Sequence, residues 1–109
     1  MTAKVYVLQE NGYDFSPAEE FGEVHFILDS EVRPYASSQH NANFHAAVNE
    51  FITKYDSTKD NIVLTGSPIA IAMFGMMLAE YQETEWNLLR WDSRRRKYSK
   101  MTVKQGVVL

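Results

Sequence analysis

Thr65, Gly66 and Ser67 are the residues whose types and spacing are best suited to bind a ligand. They form a turn of small residues between a short apolar run, residues 61–64, and a longer apolar run that begins at Pro68. If the first run is a strand and the second a helix, the helix dipole and its free first-turn N–H groups favour an anion at this turn. The same residues also describe a plain helix start, with Ser67 as N-cap and Pro68 at N1. Both interpretations stay open.

A bound anion needs positive charge nearby, and few arginines are placed to provide it. Arg33 follows a predicted strand, and Arg94, Arg95 and Arg96 occupy a predicted hairpin turn. A run of like charges at a hairpin tip is also typical of a solvated surface. We expect these four arginines at the rim of the ligand pocket, with Arg90 as the alternative cation.

No complete catalytic or metal-binding group is visible. The sequence lacks the Gly-x-Ser-x-Gly nucleophile motif, the glycine-rich phosphate loop that ends in Lys-Ser/Thr, and any cysteine. His40 and His45 are five residues apart, which differs from the i, i+4 spacing of helical zinc sites. Asp14 is expected to accept a hydrogen bond in the loop before a helix, or to line the crevice. We therefore predict no catalytic residue, no metal and no cofactor.

The elements that must position these residues alternate between strands and helices. Residues 16–22, with Ser16 and Glu19 in the positions of a capping box and Gly22 as a left-handed C-cap, predict a short helix. Periodicity predicts the remaining elements: strands at 4–8, 23–28, 61–64, 86–91 and 96–103, and long helices at about 39–55 and 67–81. This order predicts a single small Rossmann-like α/β layered domain. Its mixed sheet has about five strands, with two long helices and a C-terminal β-hairpin.

The second long helix carries apolar residues around its whole circumference. One small sheet can cover only one side of such a helix, so we expect it to be buried against a second element or subunit as well. Gly75 and Ala79 lie four residues apart and form a stripe along which another backbone could approach. The sequence therefore predicts a homodimer or a larger homo-oligomer, with this helix near the interface.

Length, composition and charge exclude several classes of protein. The chain has 109 residues, 45% of them hydrophobic, which fits one folded domain. Its formal net charge of −3 gives no overall attraction to nucleic acid or to anionic membranes. The N-terminus does not resemble a signal peptide, and the apolar run after Pro68 is shorter than the roughly 20 residues that span a bilayer. We expect a cytoplasmic protein, or a host-cytoplasmic one if it is viral.

Two resemblances add to this interpretation. The segment "VLTGSPIAIAMFGMMLAE" resembles the strand, Thr-Gly loop and helix of CARF-type domains, which bind cyclic oligonucleotides. In that family the loop continues with Gly-Thr-Lys, whereas this chain has Ser67, Pro68 and Ile69. Over most of its length, including "YDFSPAEEFGEVHFIL" and "NLLRWDSRRRKY", the chain is similar to small proteins of tailed bacteriophages and prophages. That second resemblance implies a viral accessory or anti-defence role.

These observations lead to two hypotheses of function. The first is a protein that binds a nucleotide-like anion, such as a cyclic nucleotide, through Thr65, Gly66 and Ser67, and acts by binding rather than catalysis. The second is an oligomeric structural or interaction protein without a small-molecule site. Cleavage of a cyclic nucleotide is a further alternative to the first, although no general base is evident.

Overall fold

The structure is a computed structural model that describes residues 2–80, 85–104 and the main chain of 107–108. The described residues form six strands, two α-helices and one 3₁₀ helix. In chain order these elements are β1 (Lys4–Gln9), the 3₁₀ helix (Ser16–Phe21), β2 (Glu23–Leu28), α1 (Ser38–Lys54), β3 (Asn61–Val63), α2 (Pro68–Leu78), β4 (Glu85–Asp92), β5 (Lys97–Lys104) and β6 (Val107–Val108). The predicted α/β class, the two long helices and the C-terminal hairpin are confirmed.

The six strands form one mixed sheet in the order β2-β1-β3-β4-β5-β6. The first four of these are parallel, and β5 and β6 are antiparallel to their neighbours. The chain passes from β1 to β2 on one side and then returns through α1 to β3 on the other side of β1. The strand order therefore reverses between β1 and β3. In open α/β sheets, ligands bind beyond the carboxyl ends of the strands at such a point.

Both long helices pack on the same face of the sheet. Phe51 of α1 lies at the centre of this layer, with its ring 4.9 Å from that of Tyr6 and 5.6 Å from that of Phe74. At the edge of this layer the Tyr55 ring stacks on the Trp86 ring, with 4.9 Å between the ring centroids. Burying these large rings is the main stabilising contribution of this face, since apolar area removed from water contributes about 25 cal/mol per Å².

The opposite face of the sheet is covered by the 3₁₀ helix, whose Ala18 packs together with Phe15 against Val5, Val7 and Val63. Six residues of 3₁₀ helix are too few to cover a six-stranded sheet. Over β4 and β5 this face is therefore covered only in part: Leu89 and Tyr98 are buried, whereas Trp91 is 45% exposed. This asymmetry between the two faces positions the site described below.

The two ends of the 3₁₀ helix differ from the prediction. Ser16 does not form a capping box, because Phe15 occupies the N-cap position without a side-chain hydrogen bond. Asp14 instead accepts hydrogen bonds from the Ser16 N–H and hydroxyl groups. Gly22 ends the helix with φ 151° and ψ 179°, which is not the left-handed helical cap. A Cβ atom at Gly22 would lie 2.6 Å from the carbonyl oxygen of Ala3, so close backbone approach explains this glycine.

Within the single chain, only one side of α2 is buried. Ala70, Phe74 and Leu78, spaced four residues apart, face the core. Ile69 and Met76 on the opposite side are 51% and 72% exposed. No helix among the described residues is both long and apolar enough to cross a membrane.

A buried polar network joins the amino ends of the strands. The Asp60 carboxylate accepts hydrogen bonds from the N–H groups of Lys4 and Asp56, each at 2.9 Å. The Asn87 side-chain amide donates to the carbonyl oxygen of Asp60 at 2.9 Å, and the main-chain N–H of Asn87 donates to the Tyr55 hydroxyl group at 2.9 Å. These partners satisfy polar groups that would be costly to bury alone. The network closes the amino edge of the sheet, opposite its carboxyl edge.

The remaining differences from prediction are at element ends. β3 is one residue shorter than expected, because Leu64 already turns outward and is 38% exposed. α2 ends at Leu78, and the predicted end at Tyr81 lies outside the described residues. The two-residue strand β6 was not predicted, since so short a segment carries no periodic signal.

Candidate functional site

A hollow of about 600 Å³ opens at the carboxyl edge of the sheet. Phe15, Leu89 and Tyr98 line it from the face of the 3₁₀ helix, and Leu88 lines it from the face of the long helices. The hollow forms because β3 and β4 share a single register pair, Ile62 with Leu88, after which β3 ends and β4 continues to Asp92. We call it the aromatic hollow, after the four rings in its wall: Tyr13, Phe15, Trp91 and Tyr98.

The rings of the aromatic hollow come from two segments that are far apart in sequence. Phe15 and Tyr98 are buried and belong to the core of this face. Trp91 pairs with Tyr98 across the β4–β5 hairpin, with ring centroids 5.0 Å apart in an edge-to-face arrangement. Tyr13 stands at the rim and is 76% exposed. Such rigid rings suit stacking against a planar ligand.

The charged residues of the aromatic hollow are Asp14 and Arg90. The N–H and hydroxyl groups of Ser16 donate to the two Asp14 carboxylate oxygens at 2.9 and 3.0 Å. These hydrogen bonds lower the pKa of Asp14, so its carboxylate is ionised at neutral pH. Burial, and to a lesser extent the Asp14 charge, raise the pKa of Tyr98, which remains a neutral phenol. The hollow therefore combines apolar walls with one anionic and one cationic group.

Thr65, the first predicted site residue, also lines the aromatic hollow. Its hydroxyl group accepts a hydrogen bond from the Gln9 N–H at 3.1 Å and donates to the Gln9 carbonyl oxygen at 2.6 Å. Main-chain pairing of β1 with β3 ends at Val7 and Val63, and the Thr65 side chain continues the hydrogen bonding between the two strands. Thr65 contributes to the wall of the hollow, and its hydroxyl group is engaged within the protein.

Gly66 and Ser67 connect β3 to α2 as the sequence predicts. Gly66 has φ 112° and is exposed, and a Cβ atom there would lie 2.6 Å from Oε1 of Gln9. The Ser67 hydroxyl group caps α2 by accepting from the Ala70 N–H at 3.1 Å. The capping interpretation of Ser67 is confirmed. It leaves the binding interpretation a prediction, because a capped helix start still presents its dipole to solvent.

Arg33 and Ser67 line a second hollow of about 380 Å³, together with Gln9 and Tyr35. Gln9 holds this region in place, since its side-chain amide donates to the Val32 carbonyl oxygen at 2.6 Å. The Arg33 N–H donates to Nδ1 of His40 at 2.9 Å. The expected pairing of Arg33 with the α2 N-terminus is therefore geometrically available, but in a hollow separate from the aromatic one.

Arg94, Arg95 and Arg96 lie in the tight turn between β4 and β5 and do not line either hollow. Asp92 organises the turn by accepting from the N–H groups of Arg94 and Arg95 at 3.0 and 3.2 Å. Arg96 has φ 53°, as tight hairpins often require. The seven predicted site residues thus lie in four places. Thr65 lines the aromatic hollow, Gly66 lies in the turn between β3 and α2, and Arg33 and Ser67 line the second hollow. The three remaining arginines lie at the β4–β5 hairpin tip.

Sequence reasoning missed the aromatic rings as site residues. Each of them also reads as a core or strand residue, and no local motif joins the loop before the 3₁₀ helix to the β4–β5 hairpin. A usable signal was the placement of Trp91 and Tyr98 on either side of the predicted hairpin turn. Residues at matching distances from a turn pair across strands.

Comparison with known protein families gives a match over most of the chain. The model of a family described as "Phage Pam3 gp32-like protein" matches residues 3–105. None of the curated proteins matches the chain. No solved structure matches it either, so the resemblance to CARF-type domains has no support from these comparisons.

Proposed function

This chain belongs to the phage Pam3 gp32-like family, and from that premise we propose that it is a phage accessory protein that binds a small nucleotide-like molecule. The observation that carries the proposal is the aromatic hollow at the carboxyl edge of the parallel strands. Its volume is within the range of roughly 300 to 1,000 Å³ that small-molecule sites occupy. No group of side chains that could hold a metal ion is found among the described residues, and the Thr65 hydroxyl group is engaged with Gln9, so the proposed role is binding rather than catalysis.

The aromatic walls favour a planar ring as the buried part of the ligand. Tyr13 and Trp91 present accessible ring surface, and base–aromatic stacking contributes about 1 to 3 kcal/mol per base. Arg90 lines the same hollow and supplies positive charge for an anionic substituent. A nucleotide combines the ring and the anion that these groups suit.

The proposal is tested by a thermal-shift screen with nucleoside monophosphates and cyclic nucleotides. A ligand present at 100 times its dissociation constant stabilises the fold by about 2.7 kcal/mol. For a domain of this size, that raises the unfolding midpoint by several degrees. If no nucleotide shifts the midpoint at millimolar concentration, the proposal is wrong.

A matched pair of variants locates the site. Tyr13→Ala removes an exposed ring from the aromatic hollow and is expected to weaken binding about tenfold, in line with the loss of one stacking partner. Tyr35→Ala removes an exposed tyrosine that lines only the second hollow. It is expected to leave the dissociation constant unchanged. Weaker binding by Tyr35→Ala together with unchanged binding by Tyr13→Ala would place the site in the second hollow.

The second candidate function is self-association through α2, and it is favoured by the contrast between the two helices. The outer side of α1 exposes polar residues such as Asn43, Asn49 and Glu50. The outer side of α2 exposes Ile69 and Met76 instead, in a stretch that carries no charged residue between Asp60 and Glu80. Exposed apolar patches of this kind mark interaction surfaces. This candidate is compatible with ligand binding, because Ile69 and Met76 do not line the aromatic hollow.

A further inference from the structure

The charge of the chain is separated along its sequence. Residues 90–100 carry six of its 11 basic residues and only one of its 14 acidic residues, Asp92. We call this region, which covers the end of β4, the turn and the start of β5, the basic hairpin. Its cations are Arg90, Arg94, Arg95, Arg96, Lys97 and Lys100. The net charge of −3 thus averages a basic hairpin with an acidic remainder, and a polyanion is attracted to the hairpin alone.

The cations of the basic hairpin are available to a partner. All six residues are exposed. Among the residues that the structure describes, their only ion pair is a long one, 3.9 Å between Nε of Arg95 and the Asp92 carboxylate. Asp92 is engaged mainly with the main-chain N–H groups of Arg94 and Arg95. The turn therefore concentrates positive charge that the described part of the chain leaves almost entirely unneutralised.

Trp91 places a large aromatic ring in the same hairpin. The residue is 45% exposed, and its packing against the buried Tyr98 ring holds it in place. Lys100 lies on the same face of the hairpin, because Trp91 pairs with Tyr98 and alternate residues of a strand share a face. A solvated run of charge needs no exposed ring beside it. A groove that binds unpaired bases and phosphates together needs both.

We infer that the basic hairpin is a surface for single-stranded nucleic acid, with phosphates bound by the cations and a base stacked on Trp91. Guanidinium groups suit phosphate because they donate two parallel hydrogen bonds to its oxygens. A duplex keeps its bases stacked inside and meets only the cations, whereas an unpaired base also gains the ring. The inference goes beyond the proposed small-molecule site and does not require a mononucleotide in the aromatic hollow.

The experiment measures fluorescence anisotropy of a labelled single-stranded DNA of about 12 nucleotides, titrated with the full chain at several salt concentrations. The dissociation constant is expected in the micromolar range at low salt. The logarithm of the binding constant is expected to fall with the logarithm of the salt concentration, with a slope of about −0.7 for each phosphate neutralised. A duplex of the same sequence is expected to bind more weakly.

Two variants separate the charge from the ring. The double substitution Arg94→Gln and Arg95→Gln keeps the main-chain N–H groups that Asp92 binds, so the turn is retained. It is expected to weaken binding more than about tenfold at low salt and to make the salt slope shallower by about 1.4. Trp91→Ala is expected to weaken binding of the single strand about tenfold with the slope unchanged. If Trp91→Ala does not fold, the comparison of single strand with duplex tests the stacking.

The matched control is the double substitution Lys54→Gln and Lys59→Gln. It changes the net charge by the same amount, but both residues precede β3 and lie at the amino edge of the sheet, away from the hairpin. Binding of the single strand is expected to be unchanged. An equal loss in the control and in the arginine variant would show that net charge alone matters, and would overturn the inference.

The remaining outcomes also decide between partners. Tighter binding of the duplex, or equal binding of polyglutamate, overturns the inference in favour of a duplex or an acidic peptide. Binding to vesicles of phosphatidylglycerol and phosphatidylcholine without binding of the DNA assigns the hairpin to membranes and overturns it as well. No binding of the single strand at about 100 μM protein overturns the inference and leaves the proposed function standing. Binding of the single strand when no mononucleotide binds supports the inference and overturns the proposed function.

Discussion

The Thr65 hydroxyl group bonds to both main-chain polar groups of Gln9: it accepts from the N–H at 3.1 Å and donates to the carbonyl oxygen at 2.6 Å. This pair joins β1 to the end of β3 at the point where the strand order reverses. It also sets where β3 ends, and hence where the aromatic hollow opens beside β4. A residue selected from the sequence as a ligand contact is thus a part of the framework around the site.

The first prediction concerns this pair. Thr65→Val keeps the side-chain shape but leaves the Gln9 N–H and carbonyl groups without partners. It is expected to lower the free energy of unfolding by about 1 to 3 kcal/mol, the cost of unsatisfied polar groups in a partly buried place. Urea denaturation measures the change. Thr65→Ser, which keeps the hydroxyl group, is the control, and equal losses in the two variants would contradict the role of the hydrogen bonds.

The second prediction compares two glycines. Gly66→Ala is expected to destabilise the protein by about 1 to 3 kcal/mol, because φ 112° is strained for any residue with a Cβ atom. Gly75→Ala lies in α2, where a Cβ atom meets nothing within 4 Å in the single chain, and is expected to stabilise the monomer by about 0.5 to 1 kcal/mol. Thermal unfolding of both variants provides the measurement. A neutral Gly66→Ala would show that the turn can relax.

The third prediction concerns pH. The Tyr55 hydroxyl group donates to the Glu85 carbonyl oxygen and accepts from the Asn87 N–H, and burial raises the pKa of Tyr55 from 10.0 to about 12. The unfolded chain therefore loses this proton at a lower pH than the folded chain. The stabilisation is complete below pH 10 and is lost as the pH rises towards 12.

A variant isolates the contribution of Tyr55. At neutral pH, Tyr55→Phe is expected to lower the free energy of unfolding by about 1 to 3 kcal/mol, because the Asn87 N–H loses its acceptor. Between pH 10 and 12 the difference between wild type and variant is expected to shrink. Urea titrations at a series of pH values measure it. A difference that stays constant over this range would contradict the assignment.

The fourth prediction concerns the outer side of α2. We expect the wild-type protein to sediment as a homodimer at micromolar concentration. Met76→Glu is expected to weaken the dimer more than about 100-fold, because a charge buried without a partner costs about 3 to 5 kcal/mol. Asn49→Glu on the exposed, polar side of α1 is the control and should leave the dimer intact. If the wild-type protein sediments as a monomer at this concentration, the proposal of self-association is wrong.

The sequence by itself determined the two long helices, five of the strands and the class of fold. The spacing of Phe44, Val48 and Phe51 predicts α1, and these three residues are the ones that α1 buries. Ser67 and Pro68 predict the start of α2, because capping chemistry acts within a single turn of the chain. Such signals are local, so they can be interpreted without knowing which elements pack against the helix.

Only the tertiary structure decided where the chemistry of the site lies. The aromatic hollow depends on β4 extending past β3, and on a loop around Asp14 that reaches the β4–β5 hairpin nearly 80 residues away in sequence. In the same way, both long helices lie on one face and leave the other to the short 3₁₀ helix and the loop before it, an arrangement that no local periodicity expresses. Pairing of Trp91 with Tyr98 fixes the register of β4 and β5. Arg94, Arg95 and Arg96 therefore lie in the turn between these strands, outside the hollow. Contacts between residues that are far apart in the chain arise from packing and chain topology. Composition and spacing report only on residues that are close together in the sequence.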